Sequence, residues 1–468
     1  MDAWLRCCKY HVINNFMQKK IIKVVSFAIF FSFMSLAGCS GCSGCDSKVV
    51  VFSDVHFNPF YDPTIFQQLV NADPDNWANI FASSTSTELS PWGSDTNYPL
   101  FLIALSSIKD NSSDTTMFIF TGDMLVHSFS DKFYALYGST DEAAMKAFAD
   151  KTVAFLSIYI RSYCEKTPVL FVLGNNDSYA DYQQEPNGSF LANSAEYFYT
   201  NFLNSIPDHQ TFINTYDAGG YYVIDPVGSN LEVVALNTVL FSVDAVGDID
   251  AAAQAELDWF NTTMASAKAA GKKVWILLHV PPGANIHKTA SHVDQNGHIA
   301  EAKMMWKTTY QERFLQILSS YSDVVTMMLA GHTHMDEYKL PDGFLEITPA
   351  ISPIDGNNPA FKIFTFSSDS FQPSDYVSLN YDLASKPSEF MDYYTFSNQY
   401  SATGTFADFL PQLYSLFSSN VEDENYYRNS YFSGHSASSP ITNTNWPVYW
   451  CGIKMMTEQD MIDCVNTY

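Results

Sequence analysis

A chain of 468 residues, 47% hydrophobic and 15% aromatic, can bury a large core and has room for two domains or one large α/β domain with an appendage. Lys and Arg number 24 against 50 Asp and Glu, giving a net charge of -26 and a pI near 4.5. Such a field repels polyanions, so no nucleic acid partner is expected unless metal or lysine charge overrides it locally.

Lys19, Lys20 and Lys23 precede an apolar run over residues 24–38, a basic region followed by a stretch too short for a membrane span. The run ends in Leu36-Ala37-Gly38-Cys39, which resembles the lipobox of bacterial lipoproteins and would make Cys39 a lipid attachment point. An ordinary cleaved signal is the alternative. Both predict a secreted or extracytoplasmic protein, in the first case anchored at a membrane surface. Residues 1–47 are read as this signal segment and a Ser/Gly/Cys tether. Cys39, Cys42 and Cys45 repeat at metal-like spacing there, but no second pair or histidine cluster follows, so the repeat reads as a linker. Cys451 and Cys464 suit one disulfide in an oxidising compartment, and Cys164 has no evident partner.

Short apolar, β-branched runs at residues 48–52, 116–120, 169–173, 231–236, 274–278 and 324–329 predict buried strands, each ending in polar residues. Helical patterns intervene at 141–161 and 251–270, the latter stopping at Gly271. Strands alternating with helices imply an α/β architecture, assigned to residues 48–385. Residues 386–468 turn rich in Tyr, Phe and Ser, with a helical stretch at 406–417, and predict a small, mainly helical C-terminal subdomain.

Ligands of α/β proteins bind at the carboxyl ends of strands. The tips here read Asp54-Val55-His56, Gly122-Asp123, Gly174-Asn175-Asn176-Asp177, His279 and Gly331-His332-Thr333-His334. Singly, each has an ordinary reading, since Asn and Asp commonly bond their own backbone in turns. Together, consecutive core strands ending in metal-binding groups, with glycines allowing close backbone approach, point to a metal site. Carboxylate, imidazole and amide without thiolate suit Zn, Mn or Fe better than Ca or Mg. Two such ions sharing one carboxylate would activate a water and clamp a transferring phosphoryl group.

The ordered series resembles the calcineurin-like metallophosphoesterases. His127 in Gly122-Asp-Met-Leu-Val-His127, Leu257-Asp-Trp-Phe260 ahead of His279-Val-Pro-Pro-Gly283, and Asn357-Asn-Pro-Ala-Phe361 are similar to their acid sphingomyelinase-like branch. The resemblance spans about residues 48–385 and implies a four-layer α/β/β/α sandwich. It implies two divalent metal ions, Zn first with Mn or Fe as alternatives. Asp54, His56 and His334 would hold one, Asn175, His279 and His332 the other, and Asp123 would bridge them.

One position departs from the pattern. Most relatives carry His where this chain has Asn176. An amide can donate a hydrogen bond to phosphate but cannot deliver a proton. His127 matches a second histidine that the sphingomyelinase-like branch places beside the phosphate, so the resemblance implies His127 as the candidate acid, with Asn176 as a phosphate-orienting donor. The expected function is hydrolysis of phosphodiester or related phosphoryl bonds. One alternative is a polyphosphate or nucleotide phosphoanhydride hydrolase, whose leaving group needs little protonation. Another is a catalytically silent, metal-bearing binding lipoprotein. His287, His292 and His298 read as a solvated loop, and Phe57 to Tyr61 as either a pocket wall or core packing.

Overall fold

The computed structural model describes residues 46–468 except 207, 227, 229 and 436–439. The apolar run at 24–38 and Cys39 lie outside the described residues. The strands are β1 (Asp46–Phe52), β2 (Thr115–Phe120), β3 (Val169–Phe171), β4 (Tyr222–Ile224), β5 (Leu231–Ala235), β6 (Lys273–Leu277), β7 (Val325–Ala330), β8 (Glu337–Lys339), β9 (Leu345–Ile347), β10 (Ala360–Ser367), β11 (Pro373–Asn380) and β12 (Met391–Thr395). They form two sheets, ordered β12-β11-β10-β1-β2-β3 and β4-β5-β6-β7-β9-β8. Strands β1, β2 and β3 run parallel, as do β5, β6, β7 and β9.

Alternation along β6 explains how the sheets face each other. Val274, Ile276 and Leu278 pack outward with Leu257 and Phe260 of the helix Asp250–Ala269 and with Phe314 and Leu318 of the helix Thr308–Ser320. Trp275 and Leu277 point the other way, into the core shared with the first sheet. There the Trp275 ring meets Phe366 of β10 edge-on at 4.8 Å, and its indole N–H donates to the Phe371 carbonyl at 2.9 Å. On the far side of the first sheet, Phe101 of the helix Tyr98–Asp110 and Phe155 of the helix Glu142–Cys164 close around Phe57. Both sheets are therefore covered on both faces, the condition under which strands read as unbroken apolar runs. This is the four-layer α/β/β/α arrangement.

The predicted strands all form, and the helix expected at 141–161 runs one turn further, to Cys164, starting from an Asp141 cap that accepts from the Ala144 N–H. Strands β4 and β8 to β12 are additional to the sequence reading. Phe57 and Phe60 belong to the aromatic core rather than to a pocket wall. The C-terminal region is helical, with Phe406–Leu416, Val421–Ser430, Trp446–Lys454 and Glu458–Thr467. Cys451 and Cys464 are disulfide-bonded, tying the last two of these helices together, while Cys164 is free and buried. Buried Lys339 donates to the carbonyls of Ala284 at 2.8 Å and Gly452 at 3.4 Å, fastening the C-terminal region to the loop after β6.

Glu256 sits fully buried in the helix Asp250–Ala269, accepting the Asn237 N–H at 2.6 Å. Burial pushes its carboxyl up to about 8. A carboxyl raised on folding is protonated in the native state while the unfolded chain has already lost its proton. The stability it contributes is complete below the ordinary glutamate range and is lost as pH rises toward 8. Glu256→Gln should therefore flatten the fall in Tm between about pH 5 and pH 8 by a few degrees. Equal pH slopes for both proteins in scanning calorimetry would refute this role.

Candidate metal centre

The chemistry-bearing residues sit where the strands stop. Asp54 and His56 follow β1, Asp123 follows β2, Asn175 and Asn176 follow β3, His279 follows β6, and His332 and His334 follow β7. The backbone turns sharply at these points, and Asp54, His56, Asp123, His332 and His334 all have left-handed φ, between 41° and 76°. For residues with a Cβ this conformation costs about 1 kcal/mol or more each, so it persists only where neighbours hold it. They do so here: the Asp54 N–H donates to the Gly122 carbonyl at 2.9 Å, and the His56 N–H to the Asp123 carbonyl at 3.0 Å. Two glycines permit the crowding. A Cβ on Gly122 would lie 2.7 Å from both the Gly174 nitrogen and His279 Nδ1, and one on Gly174 would collide with the Asp123 carboxylate.

The hydrogen bonds of the imidazoles decide what the site can hold. His56 Nδ1 faces the Leu125 carbonyl at 3.0 Å, and His279 Nδ1 faces the Thr121 carbonyl at 2.7 Å. A carbonyl only accepts, so each Nδ1 carries hydrogen, and in the neutral imidazole each Nε2 presents its lone pair inward. His334 Nδ1 is likewise turned to Asp355, 2.9 Å away. As a result His56 Nε2 and His334 Nε2 stand 3.0 Å apart, with Asp54 Oδ1 3.5 Å from the latter. In the neighbouring group, Asn175 Oδ1 lies 3.1 Å from His279 Nε2 and 2.8 Å from His332 Nδ1. Asp123 Oδ2 lies between the groups, 3.4 Å from His56 Nε2 and 3.3 Å from His279 Nε2. Acceptors facing acceptors in a buried pocket repel unless a cation lies among them, so the donor set fits divalent metal ions.

The ionisation pattern agrees. Burial opposes the charge of Asp123, yet His279 and His56 outweigh it and hold its carboxyl well below the usual range. Asp54 is also lowered against burial, chiefly by His334. Burial drives His56 down to about 4 and His332 to about 3, so both are neutral at ordinary pH, the form in which imidazole can bind a metal ion. His279 is raised to about 9, because Asp123 overcomes the burial that would lower it. With Nδ1 committed to Thr121, the proton this implies must sit on Nε2, where a metal ion competes with it. A pocket whose carboxylates draw a proton onto a buried imidazole, as Asp123 does onto His279, is one that demands positive charge there.

Around this cluster lie groups that sequence reading either placed loosely or missed. His127 stacks on His56 with ring centres 3.9 Å apart and gives its Nδ1 to Asp95 at 2.8 Å. Asp95 is itself buried and lies 3.3 Å from Lys132. Asn176 is buried; its backbone N–H donates to Asp123 Oδ1 at 2.7 Å and its amide Nδ2 to Asp123 Oδ2 at 2.9 Å. Asp177 ends the Gly174-Asn175-Asn176-Asp177 stretch as a clamp, accepting the N–H groups of Asp123, Met124, Leu125 and Gly174. Neither Asp95 nor Asp355 sits in a recognisable pattern. Of the loop histidines, His292 and His298 are exposed, whereas His287 is half-buried with Nδ1 3.3 Å from the Tyr449 hydroxyl.

Removing the ions by chelation should lower Tm by several degrees, since it restores the facing acceptors. Asp123→Asn should reduce the metal bound per chain, measured by elemental analysis. Unchanged metal content in that variant would exclude a shared carboxylate.

Residues 47–336 match the model of the calcineurin-like phosphoesterase family. The chain is 25% identical over 396 residues to sphingomyelinase phosphodiesterase D of Dictyostelium discoideum, spanning 80% of each protein. It is 25% identical over 351 residues to the cyclic GMP-AMP phosphodiesterase SMPDL3A of Homo sapiens, covering 70% of this chain and 68% of that one. With human acid sphingomyelinase-like phosphodiesterase 3b it shares 24% over 337 residues, 67% of this chain and 66% of the relative. The chain belongs to the calcineurin-like phosphoesterase family, with acid sphingomyelinase-like phosphodiesterases among its relatives, and is a hydrolase of phosphoester bonds that works with divalent metal.

Proposed function

We propose that the chain is a dinuclear phosphodiesterase. Asp54, His56 and His334 hold one ion, Asn175, His279 and His332 hold the other, and Asp123 is shared. The observation that carries this reading is the convergence of acceptor lone pairs from both sheets at spacings near 3 Å. Zn suits the mixed imidazole, carboxylate and amide set, and Mn or Fe would share it. Bound there, the ions supply Lewis-acid charge to the phosphoryl oxygens and an activated water.

His127 is the general acid. Asp95 takes its Nδ1–H, so the proton for the leaving group is carried on Nε2. Asn176 orients a phosphate oxygen through its amide. Because that amide cannot give up a proton, a phosphoanhydride substrate, whose leaving group needs little protonation, is the second reading. The names of the relatives supply two diesters to assay, a choline-phosphate diester and a cyclic dinucleotide. Residues 48–385 are assigned as the catalytic domain and 386–468 as the C-terminal subdomain.

Export is the accompanying proposal, with Cys39 as the lipid attachment point. The Cys451–Cys464 disulfide supports an oxidising compartment, and among the described residues no helix is long and apolar enough to cross a membrane.

His127→Ala should reduce kcat on an alkyl phosphodiester by about 10²- to 10⁴-fold and cost little on an anhydride. Equal small losses on both would remove His127 from the acid's role. A metal-loaded protein that turns over neither class would instead be a binding protein.

A further inference from the structure

Among the metal-centre residues, Asp54, His56, Asp123, Asn175, His279 and His334 are buried, whereas His332 is half-buried. Its open edge forms part of the wall of a cavity of about 510 Å³. Three lysines, Lys288, Lys303 and Lys307, line the same cavity. In a chain with 24 Lys and Arg against 50 Asp and Glu, that grouping beside the site of chemistry is unlike the surface at large.

The lysines stand on fixed backbone. Lys303 and Lys307 bound an extended segment that is bridged on both sides, Met304 to Ala284 and Trp306 to Ser242. The Lys307 N–H donates to the Phe241 carbonyl at 2.9 Å, the Lys303 carbonyl accepts the Asn285 N–H at 2.8 Å, and the Trp306 indole donates to the Val280 carbonyl at 3.0 Å. Lys288 sits in the short helix Ile286–Ala290, whose Asn285 cap accepts the Lys288 N–H at 2.8 Å.

Carboxylates are present too. Asp244 and Glu458 line the cavity, Lys303 pairs with Glu301, and Lys307 lies 3.9 Å from Asp250. Lys288 has no carboxylate partner among the described residues. The net charge of -26 opposes an approaching anion, but salt screens that field beyond about 8 Å, so the groups in the wall decide what is held.

We propose that this groove binds an anionic group of the substrate beyond the scissile phosphoryl, a second phosphate, with Lys288, Lys303 and Lys307 as its specificity determinants. The inference rests on the phosphohydrolase reading and narrows it to substrates carrying more than one phosphate, nucleotide or inorganic. A quaternary ammonium head group seated at the same lysines meets their like charge and is disfavoured there.

The test is calorimetric titration of the metal-loaded full chain with a methylene-bridged nucleoside triphosphate analogue, with inorganic tripolyphosphate and with phosphocholine. Both polyphosphates should bind at least about tenfold tighter than phosphocholine, and K288Q/K303Q should weaken them by about tenfold. K288R should retain more affinity for them than K288Q. Stronger binding of the nucleotide than of tripolyphosphate identifies a nucleotide as the source of the second phosphate; equal binding identifies polyphosphate chemistry alone. Phosphocholine binding as tightly as either, or affinities indifferent to the lysine substitutions, would overturn the proposal. Hydrolysis of bis(p-nitrophenyl) phosphate by the unsubstituted protein is measured alongside. Its absence with lysine-dependent binding removes the diesterase reading and leaves the groove, while hydrolysis with charge-blind binding removes the groove alone.

Discussion

Lone pairs turned toward one another in a dry pocket are the constraint on which the rest of the molecule depends. The facing groups come from opposite sheets: Asp54, Asp123 and Asn175 from the first, His279, His332 and His334 from the second. Their spacing is therefore set by how the two sheets pack. The inter-sheet core, with Trp275 against Phe366, acts as the spacer that fixes how far apart the two sets of facing groups stand. Close-packed interiors transmit small volume changes, so a substitution deep in that core reaches the site without touching any of the facing groups. The left-handed turns at the strand ends and the bare Gly122 and Gly174 are local accommodations to the same demand.

The parts legible in the sequence were those written in consecutive residues. Apolar runs with polar ends reveal a parallel strand and its tip together, so Asp54, His56, Asp123, Asn175, His279, His332 and His334 could be picked out in order. Asp95 and Asp355 could not, because each reaches the site from a loop with no pattern of its own, and only folding brings them to His127 and His334. Strands β8 and β9 are three residues long, and β10 alternates buried with half-buried positions, so none offers a continuous apolar signal. The lysines of the groove are dispersed over a helix and an extended segment, and nothing in their spacing links them.

Charge illustrates the difference between a sum and a site. The total of -26 describes how the molecule behaves toward distant ions, and taken alone it argues against polyanions. The metal centre and the wall beside His332 act over contact distances, where the order of groups matters more than their sum. Asn176 belongs to this local order as well. Its amide rests on the Asp123 carboxylate, a use available to Asn whatever its relation to substrate.

The family match ends at residue 336, but the sheets do not. Strand β10 pairs with β1 from Asp46 opposite Ser367 to Val51 opposite Lys362, and β9 pairs with β7. A fragment cut where the family match ends would keep every proposed metal ligand and lose both neighbours. Each sheet would then offer a bare row of N–H and C=O groups, the geometry that recruits other chains into aggregates. The boundary drawn by similarity thus falls inside the folding unit, and the segment beyond it is what keeps the strand ends that carry the proposed ligands from sitting on open sheet edges.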